Sequence, residues 1–225
     1  MDLPRVTEVL QGYSGIEHVP ADVLKNAAAR GTVVHGLCSS LARGAFVPEP
    51  AEDLAGYVES YKLWVAEIVH DFVCIEERFQ CPILKFTGQV DMVILGKGGQ
   101  KYLVDLKTGA RPQKTHPVQM AAYEYLLAVN GIDVDGVFLV YLHKDGNYPM
   151  TEYYENLTDE LHAFMCALDA WYHFHRGRKY DREKEIRGTQ YFLRNRRGEK
   201  FKCLPKNPRS DERCGLHSEG NEDGQ

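Results

Sequence analysis

Three side chains near the middle of this 225-residue sequence have types and spacing suited to metal-assisted phosphate chemistry. Asp105 and Lys107 end the apolar run Tyr102-Leu103-Val104. That run reads as a buried strand, so the two charged residues point to one face. Asp91 lies in the preceding strand-like segment, 86–95, and Gly96-Lys97-Gly98-Gly99 between the two segments is a hairpin signal. Pairing these strands brings Asp91 and Asp105 side by side. Two carboxylates that close repel each other unless a proton or a cation lies between them. Hard oxygen ligands suit Mg²⁺ or Mn²⁺, which keep waters for a substrate phosphate. The chemistry such an ion offers is polarisation of the phosphate and a hydroxide-like nucleophile from water. Lys107 then orients that water or neutralises charge developing on the phosphate. Taken alone, Asp105 and Lys107 read more simply as an ion pair on a strand edge.

The surrounding periodicity supplies the elements that must position these groups. A short capped element over 4–10, with Thr7 as its cap, precedes a helical stretch from Pro20. A break at Gly31 in that stretch leaves 32–42 as a separate helix. Residues 52–69 form an amphipathic helix whose buried side is Leu54, Tyr57, Val58, Tyr61, Leu63, Trp64, Val65 and Ile68. Three strands follow at 72–79, 86–95 and 101–107, then a helix at 118–129, strands at 136–143 and 151–154, and a helix at 159–175 capped by Thr158. This order predicts an α/β fold with a mixed central sheet flanked by helices.

Further residues fit the same template. Gly88-Gln89-Val90-Asp91, Asp105-Leu106-Lys107-Thr108-Gly109, Gln119-Met120-Ala121-Ala122-Tyr123 and, upstream, Gly31-Thr32-Val33-Val34-His35 occur in that spatial logic and order. Over residues 4–155 the set resembles the RecB-type exonuclease branch of the PD-(D/E)XK nuclease superfamily. The resemblance implies a restriction-endonuclease-like core and a metal-dependent DNA nuclease. Its catalytic residues are Asp91, Asp105 and Lys107. Its metal positions are His35, Asp91, Asp105 and Leu106. Alone on a helix, His35 reads as structural, and the resemblance is what gives it a metal-binding role. Gln119 and Tyr123, four apart and so on one helix face, are placed beside the active site to position DNA. Tyr123 hydrogen-bonds a phosphate or stacks on a base, while Tyr125 is the better candidate for a core tyrosine. Thr108 either contacts a phosphate or holds the turn after Lys107. Glu76 and Glu77 lie on the strand before Asp91. Which of them faces inward is not readable, and neither enters the catalytic set.

Composition bounds the remaining readings. At 44% hydrophobic and 26% charged, with no apolar stretch near the ~20 residues of a membrane helix, the chain reads as one globular domain. No signal peptide is evident at Met1-Asp2-Leu3-Pro4-Arg5, so a cytosolic protein is expected, inside a host cell if the gene is viral. The six cysteines, 38, 74, 81, 166, 203 and 214, lack the spacing of the iron–sulfur cluster found in some relatives, and no cluster is expected. His173 and His175 are two apart on a helix and so face different ways. No phosphate-cradling G-x-x-x-x-G-K-[ST] segment occurs, which argues against an ATPase. Residues 1–175 carry a net charge of −10 and residues 176–214 a net of +8. The sequence therefore divides into a nuclease domain over 1–175 and a basic extension over 176–225, with a small hairpin at 190–204 and a disordered tail. The leading function is an exonuclease acting on linear DNA in recombination or repair, of phage or prophage type, with a single-strand annealing or recombination protein as partner. A structure-specific endonuclease of the same fold and a catalytically dead binding module are the alternatives.

Overall fold

The computed structural model describes residues 3–16, 18–109 and 111–175, and the backbone of 192–194 and 200–202. Contacts divide the chain into two units, Met1–Arg182 and Glu183–Gln225. In the first, helices α1 (Val6–Leu10), α2 (Ala21–Ala42) and α3 (Glu52–Ile68) precede strands β1 (Val69–Cys81), β2 (Phe86–Gly96) and β3 (Lys101–Lys107). Helix α4 (Thr115–Val129), strands β4 (Gly136–Tyr141) and β5 (Met150–Tyr154) and helix α5 (Thr158–His175) complete it. In the second unit the described backbone is an antiparallel strand pair, β6 (Phe192–Arg194) and β7 (Lys200–Lys202). The tail expected to be disordered lies outside the described residues.

The sheet order is β1-β2-β3-β4-β5, with β3 and β4 parallel and every other neighbouring pair antiparallel. A parallel step needs a crossover, and α4 supplies it. The result is the expected α/β architecture, a mixed sheet flanked by helices. Strand alternation divides the side chains of β3. Val104 and Leu106 join a core with Val34 and Cys38 of α2 and Tyr57, Tyr61 and Trp64 of α3. Asp105, between them in sequence, points the other way, toward α4. A second aromatic group, Phe86 with Tyr125 of α4 and Phe164 of α5, seals the sheet on the α4 and α5 side.

Several local expectations are corrected. Helix α2 runs unbroken from Ala21 to Ala42, because one internal glycine costs only about 1 kcal/mol, too little to stop a helix whose next turns are anchored by the buried Val34, Cys38 and Ser39. On α3, Leu63 is 47% exposed, while Ser60 is buried and accepts a bond from the His143 N–H at 2.9 Å. The caps also move. Glu8 bonds the Arg5 N–H at 2.8 Å at the start of α1, and Asn156 accepts from both the N–H and the hydroxyl of Thr158. Neither Thr7 nor Thr158 is the capping side chain, because a neighbouring oxygen reaches the free donors first.

Helix α3 lies so close to the loop after β4 that a Cβ at Gly56 would sit 1.7 Å from the Lys144 carbonyl oxygen. Backbone cannot give way there cheaply. Gly56→Ala is expected to destabilise the protein by about 2 kcal/mol or more and to lower Tm by roughly 4–8 °C. Gly36→Ala, inside α2 with open space around it, should hold or slightly raise Tm. Thermal unfolding followed by circular dichroism checks both, and equal Tm values would refute the close packing.

Candidate active site

The hairpin registers build the site. The β2–β3 ladder pairs Leu95 with Lys101 through to Met92 with Val104, and one residue further that register sets Asp91 opposite Asp105. On the other side, β1 pairs Ile75 with Met92 and Glu77 with Val90, so Glu76 falls opposite Asp91. Glu76 itself is twisted out of regular strand geometry, with φ of 52°. Three carboxylates, Glu76, Asp91 and Asp105, therefore stand in a row across three adjacent strands. At the β3 end the strands part, and the Leu106 N–H donates to Asp91 Oδ2 at 2.8 Å. Leu106 offers the site only backbone atoms, since its side chain is buried in the α2–α3 core.

Helix α2 brings His35 to the same place. Its Nδ1 lies 3.3 Å from Asp91 Oδ1. Donor atoms of His35, Glu76 and Asp91 all fall within 4.8 Å of one another, a spacing suited to a single cation. Asp105 joins this group through its neighbour Asp91. It is 3% exposed, and its Oδ2 lies 2.7 Å from Lys107 Nζ without hydrogen-bonding geometry. A buried carboxylate oxygen met by a lysine ammonium alone, beside a second carboxylate and an imidazole, fits a divalent metal ion.

The electrostatics agree with that fit. Burial works against a charged His35, but the charge and hydrogen bond of Asp91, with Asp105 and Glu76 beyond it, outweigh burial and lift the imidazole to about 9. Burial likewise opposes ionisation of Asp91, yet His35, the Leu106 amide and Lys107 hold it below the usual carboxylate range. Asp105 is raised by burial, to which repulsion from Asp91 adds, and the Lys107 ammonium only partly offsets the two together. Glu76 is raised by burial and by Asp91. Negative charge is thus crowded beyond what one imidazolium and one ammonium balance, the condition a bound cation relieves.

Helix α4 holds the lysine. Gln119 Oε1 accepts from Lys107 Nζ at 3.0 Å, while its Nε2 donates to Asp105 at 3.3 Å and to the Tyr123 hydroxyl at 3.0 Å. One amide thereby fixes the lysine, a carboxylate and a tyrosine. Tyr123 is only 4% exposed, and its ring occupies the space a Cβ at Gly88 would need, 2.6 Å away. Its ring is closed to base stacking, and its hydroxyl faces Gln119. Tyr125 is buried as well, against Phe86. Thr108 is half-buried, its hydroxyl close to Gly31 of α2. His116, at the start of α4, reaches the Tyr141 hydroxyl at 3.0 Å, and Tyr141 and Tyr154 both donate to Glu152. Burial and the nearby Lys107 push the His116 imidazole down to about 4.

Glu76 is the residue that sequence reasoning missed. The signal was present in the length of the β1–β2 turn, because counting back from the Cys81–Phe86 pair puts 76, not 77, opposite Asp91. His173 and His175 do not form a metal pair. His175 stacks on Trp171 at 4.5 Å and His173 meets Phe174 edge-on. Cys38, Cys74, Cys81 and Cys166 are free thiols, and Cys203 and Cys214 lie outside the described residues. Among the described residues no helix is long and apolar enough to cross a membrane.

Comparison with known proteins adds three findings. A solved structure titled "Crystal structure of SSO0001" is similar over 80% of this chain and 79% of that chain, with 14% identity and a TM-score of 0.47. No curated protein matches the sequence. The sequence model of the PD-(D/E)XK nuclease superfamily matches residues 8–195. With its carboxylates and lysine on the sheet and its histidine brought in by α2, the chain belongs to the PD-(D/E)XK nuclease superfamily.

Proposed function

We propose that this nuclease is a Mg²⁺- or Mn²⁺-dependent deoxyribonuclease of the RecB-type branch that degrades linear DNA from an end, in recombination or repair. The observation that carries the reading is the row Glu76, Asp91, Asp105, flanked by His35 on one side and Lys107 on the other. Asp91, Asp105, His35 and Glu76 are the side chains that hold the metal, with backbone atoms of Leu106 beside them. When bound, the ion supplies charge against the scissile phosphate and a lowered pKa for the attacking water. Lys107, aimed by Gln119, neutralises negative charge gathering on the phosphate oxygens. Gln119 also keeps Asp105 oriented: the donor-only Lys107 on its Oε1 and the Asp105 carboxylate on its Nε2 set the amide orientation, and the Tyr123 hydroxyl accepts from the same Nε2. Thr108 borders the site as a phosphate contact.

The basic stretch 176–214, following a domain of net −10, supplies non-specific phosphate attraction. The extension over 176–225 is in this reading an accessory to a catalytic domain whose proposed site residues all precede it.

Asp105→Asn or Asp91→Asn should leave the protein folded and lower cleavage by at least ~100-fold, because both position the nucleophile and phosphate through the metal. Lys107→Ala should lose most activity yet still bind Mn²⁺ in calorimetry. Wild-type turnover in any of these three variants would reject the assignment. Degradation of linear DNA with covalently closed DNA left intact is the expected substrate pattern, and cutting of closed circles would make the enzyme an endonuclease.

A second expectation follows from His35. Its folded pKa is raised to about 9, so at neutral pH it carries a proton that a metal must displace. Mn²⁺ affinity should therefore rise with pH from neutrality to about 9, by up to ~10-fold per pH unit, with close to one proton released. His35→Ala should flatten that rise. Calorimetry in buffers of different ionisation enthalpy measures the proton count, and pH-independent affinity in the unaltered protein would exclude His35 as a ligand.

For the basic stretch, a chain ending at His175 should cleave at low salt but bind DNA with a shallower dependence of log affinity on log salt. The slope should change by about 3 units if four phosphate contacts are lost. An unchanged slope with a lowered Tm would make the stretch structural instead.

A further inference from the structure

A groove of about 720 Å³ runs beside the site, walled by Arg5, Arg78, Gln80, Thr87 and Trp171. A chain of contacts joins it to the metal-binding cluster. Arg78 donates to Gln89 Oε1 at 3.0 Å, and Gln89 Nε2 donates to Glu76 at 2.6 Å. The Arg78 charge is also felt at the Tyr123 hydroxyl, deep in the site. Two cations line the groove, and they differ in what they face. Arg5 is bound to Glu8 by two hydrogen bonds, one from its backbone and one from its guanidinium. Arg78 bonds the neutral amide of Gln89 and stands exposed on the edge strand β1.

Trp171 of α5 is the groove's aromatic lining residue. Trp171 is packed on the His175 imidazole with ring planes 7° apart. Phe174, one turn along the same face of α5, is 79% exposed. An exposed guanidinium followed by a stacked tryptophan and an open phenyl ring is the combination that takes a phosphate and then an unpaired base. Bases in a duplex present only edges to a groove, whereas splayed single-strand bases present faces that stack on aromatic rings.

We propose that this groove binds single-stranded DNA next to the scissile phosphate, with Arg78 on a backbone phosphate and Trp171 under a base. The assignment rests on the DNA-nuclease reading above and deepens it, since it makes the strand entering the site unpaired. Gln80 supplies a polar side chain between the two anchors.

The test uses the full chain carrying Asp105→Asn to block turnover, with a fluorescein-labelled oligothymidylate and a blunt duplex of the same length as probes. Trp64 is fully buried, so quenching of tryptophan emission by the unlabelled oligonucleotide reports on Trp171. Quenching is expected, and Trp171→Ala should weaken oligothymidylate binding by about 5- to 100-fold, the cost of one lost stack. Trp171→Phe should retain most of the affinity. Arg78→Gln, a change on an exposed strand that does not threaten folding, should lower affinity and flatten the salt slope by about 0.7. Duplex binding should be weaker and respond less to either change. Unchanged affinity and slope in Arg78→Gln, absence of quenching, or equal losses for duplex and single strand would each overturn the proposal. Cleavage of linear DNA by the unsubstituted protein is scored separately. An active enzyme with indifferent Arg78 and Trp171 variants defeats the groove alone, and a single-strand binder without cleavage defeats the activity alone.

Discussion

The Leu106 amide, donating to Asp91 where the β2–β3 ladder would otherwise continue, is the interaction on which the site's geometry turns. A buried N–H at the end of a ladder must find an acceptor. Here the acceptor is a carboxylate rather than a carbonyl, so satisfying the backbone also fixes a prospective metal ligand. Asp91 then has one oxygen committed to the sheet and the other turned to His35. Asp105 and Lys107, on either side of Leu106, inherit their positions from the same strand end. These side chains are therefore held by the sheet core that Leu106, Val104 and Met92 anchor.

That anchoring comes with a charge problem. Three carboxylates in a row, two of them shielded from water, are destabilising unless countered. The fold answers with His35 from one side and Lys107 from the other, and the opposite displacements of Asp91 and Asp105 show that the balance is incomplete. Stability and metal affinity are coupled here, because a cation in the cluster relieves strain already present in the folded chain. The surrounding polar scaffold is built around neutral groups. Gln119 connects Lys107 to Asp105 without adding charge, and His116 is kept neutral by burial close to the lysine. A carboxylate in place of Gln119 would instead add a fourth negative group beside Asp105 and compete for Lys107.

Glu76 shows how backbone irregularity enters the chemistry. Two register shifts end before Cys74, and from there to Cys81 the pairing with β2 is regular, so Glu76 stands opposite Asp91 although its own backbone is left-handed. A non-glycine residue at positive φ carries a local cost, and it occurs where a carboxylate gains a place beside His35 and Asp91. The same strand, being an edge, leaves Arg78 and Gln80 exposed to the adjoining groove. The N-terminal segment pairs with β2 where the β2–β3 ladder does not reach, the Thr87 N–H bonding the Pro4 carbonyl at 2.9 Å.

The fold class and the central hairpin were legible in the sequence because they rest on short-range rules. Alternation in 101–107, the glycine-rich turn after Leu95 and the helical period of 118–129 are set by a few neighbouring residues. The Asp91, Asp105, Lys107 grouping follows from one hairpin register, and the α4 pair Gln119 and Tyr123 from one helical turn. What needed tertiary structure was everything that depends on two distant elements competing for the same space. Gly31 reads as a break and is helical, because burial of Val34 and Cys38 in the turns after it outweighs a local preference near 1 kcal/mol. Tyr123 reads as a group able to meet a base and is buried, because Gly88 on another strand opens a slot for its ring. The choice between Glu76 and Glu77 depended on which residues close the β1–β2 turn, Cys81 with Phe86, and the conjunction of Arg78 with Trp171 joins β1 to α5, ninety-three positions apart. Local propensity determines which elements form, whereas the meeting of side chains from separate elements is decided by the packing that buries the core.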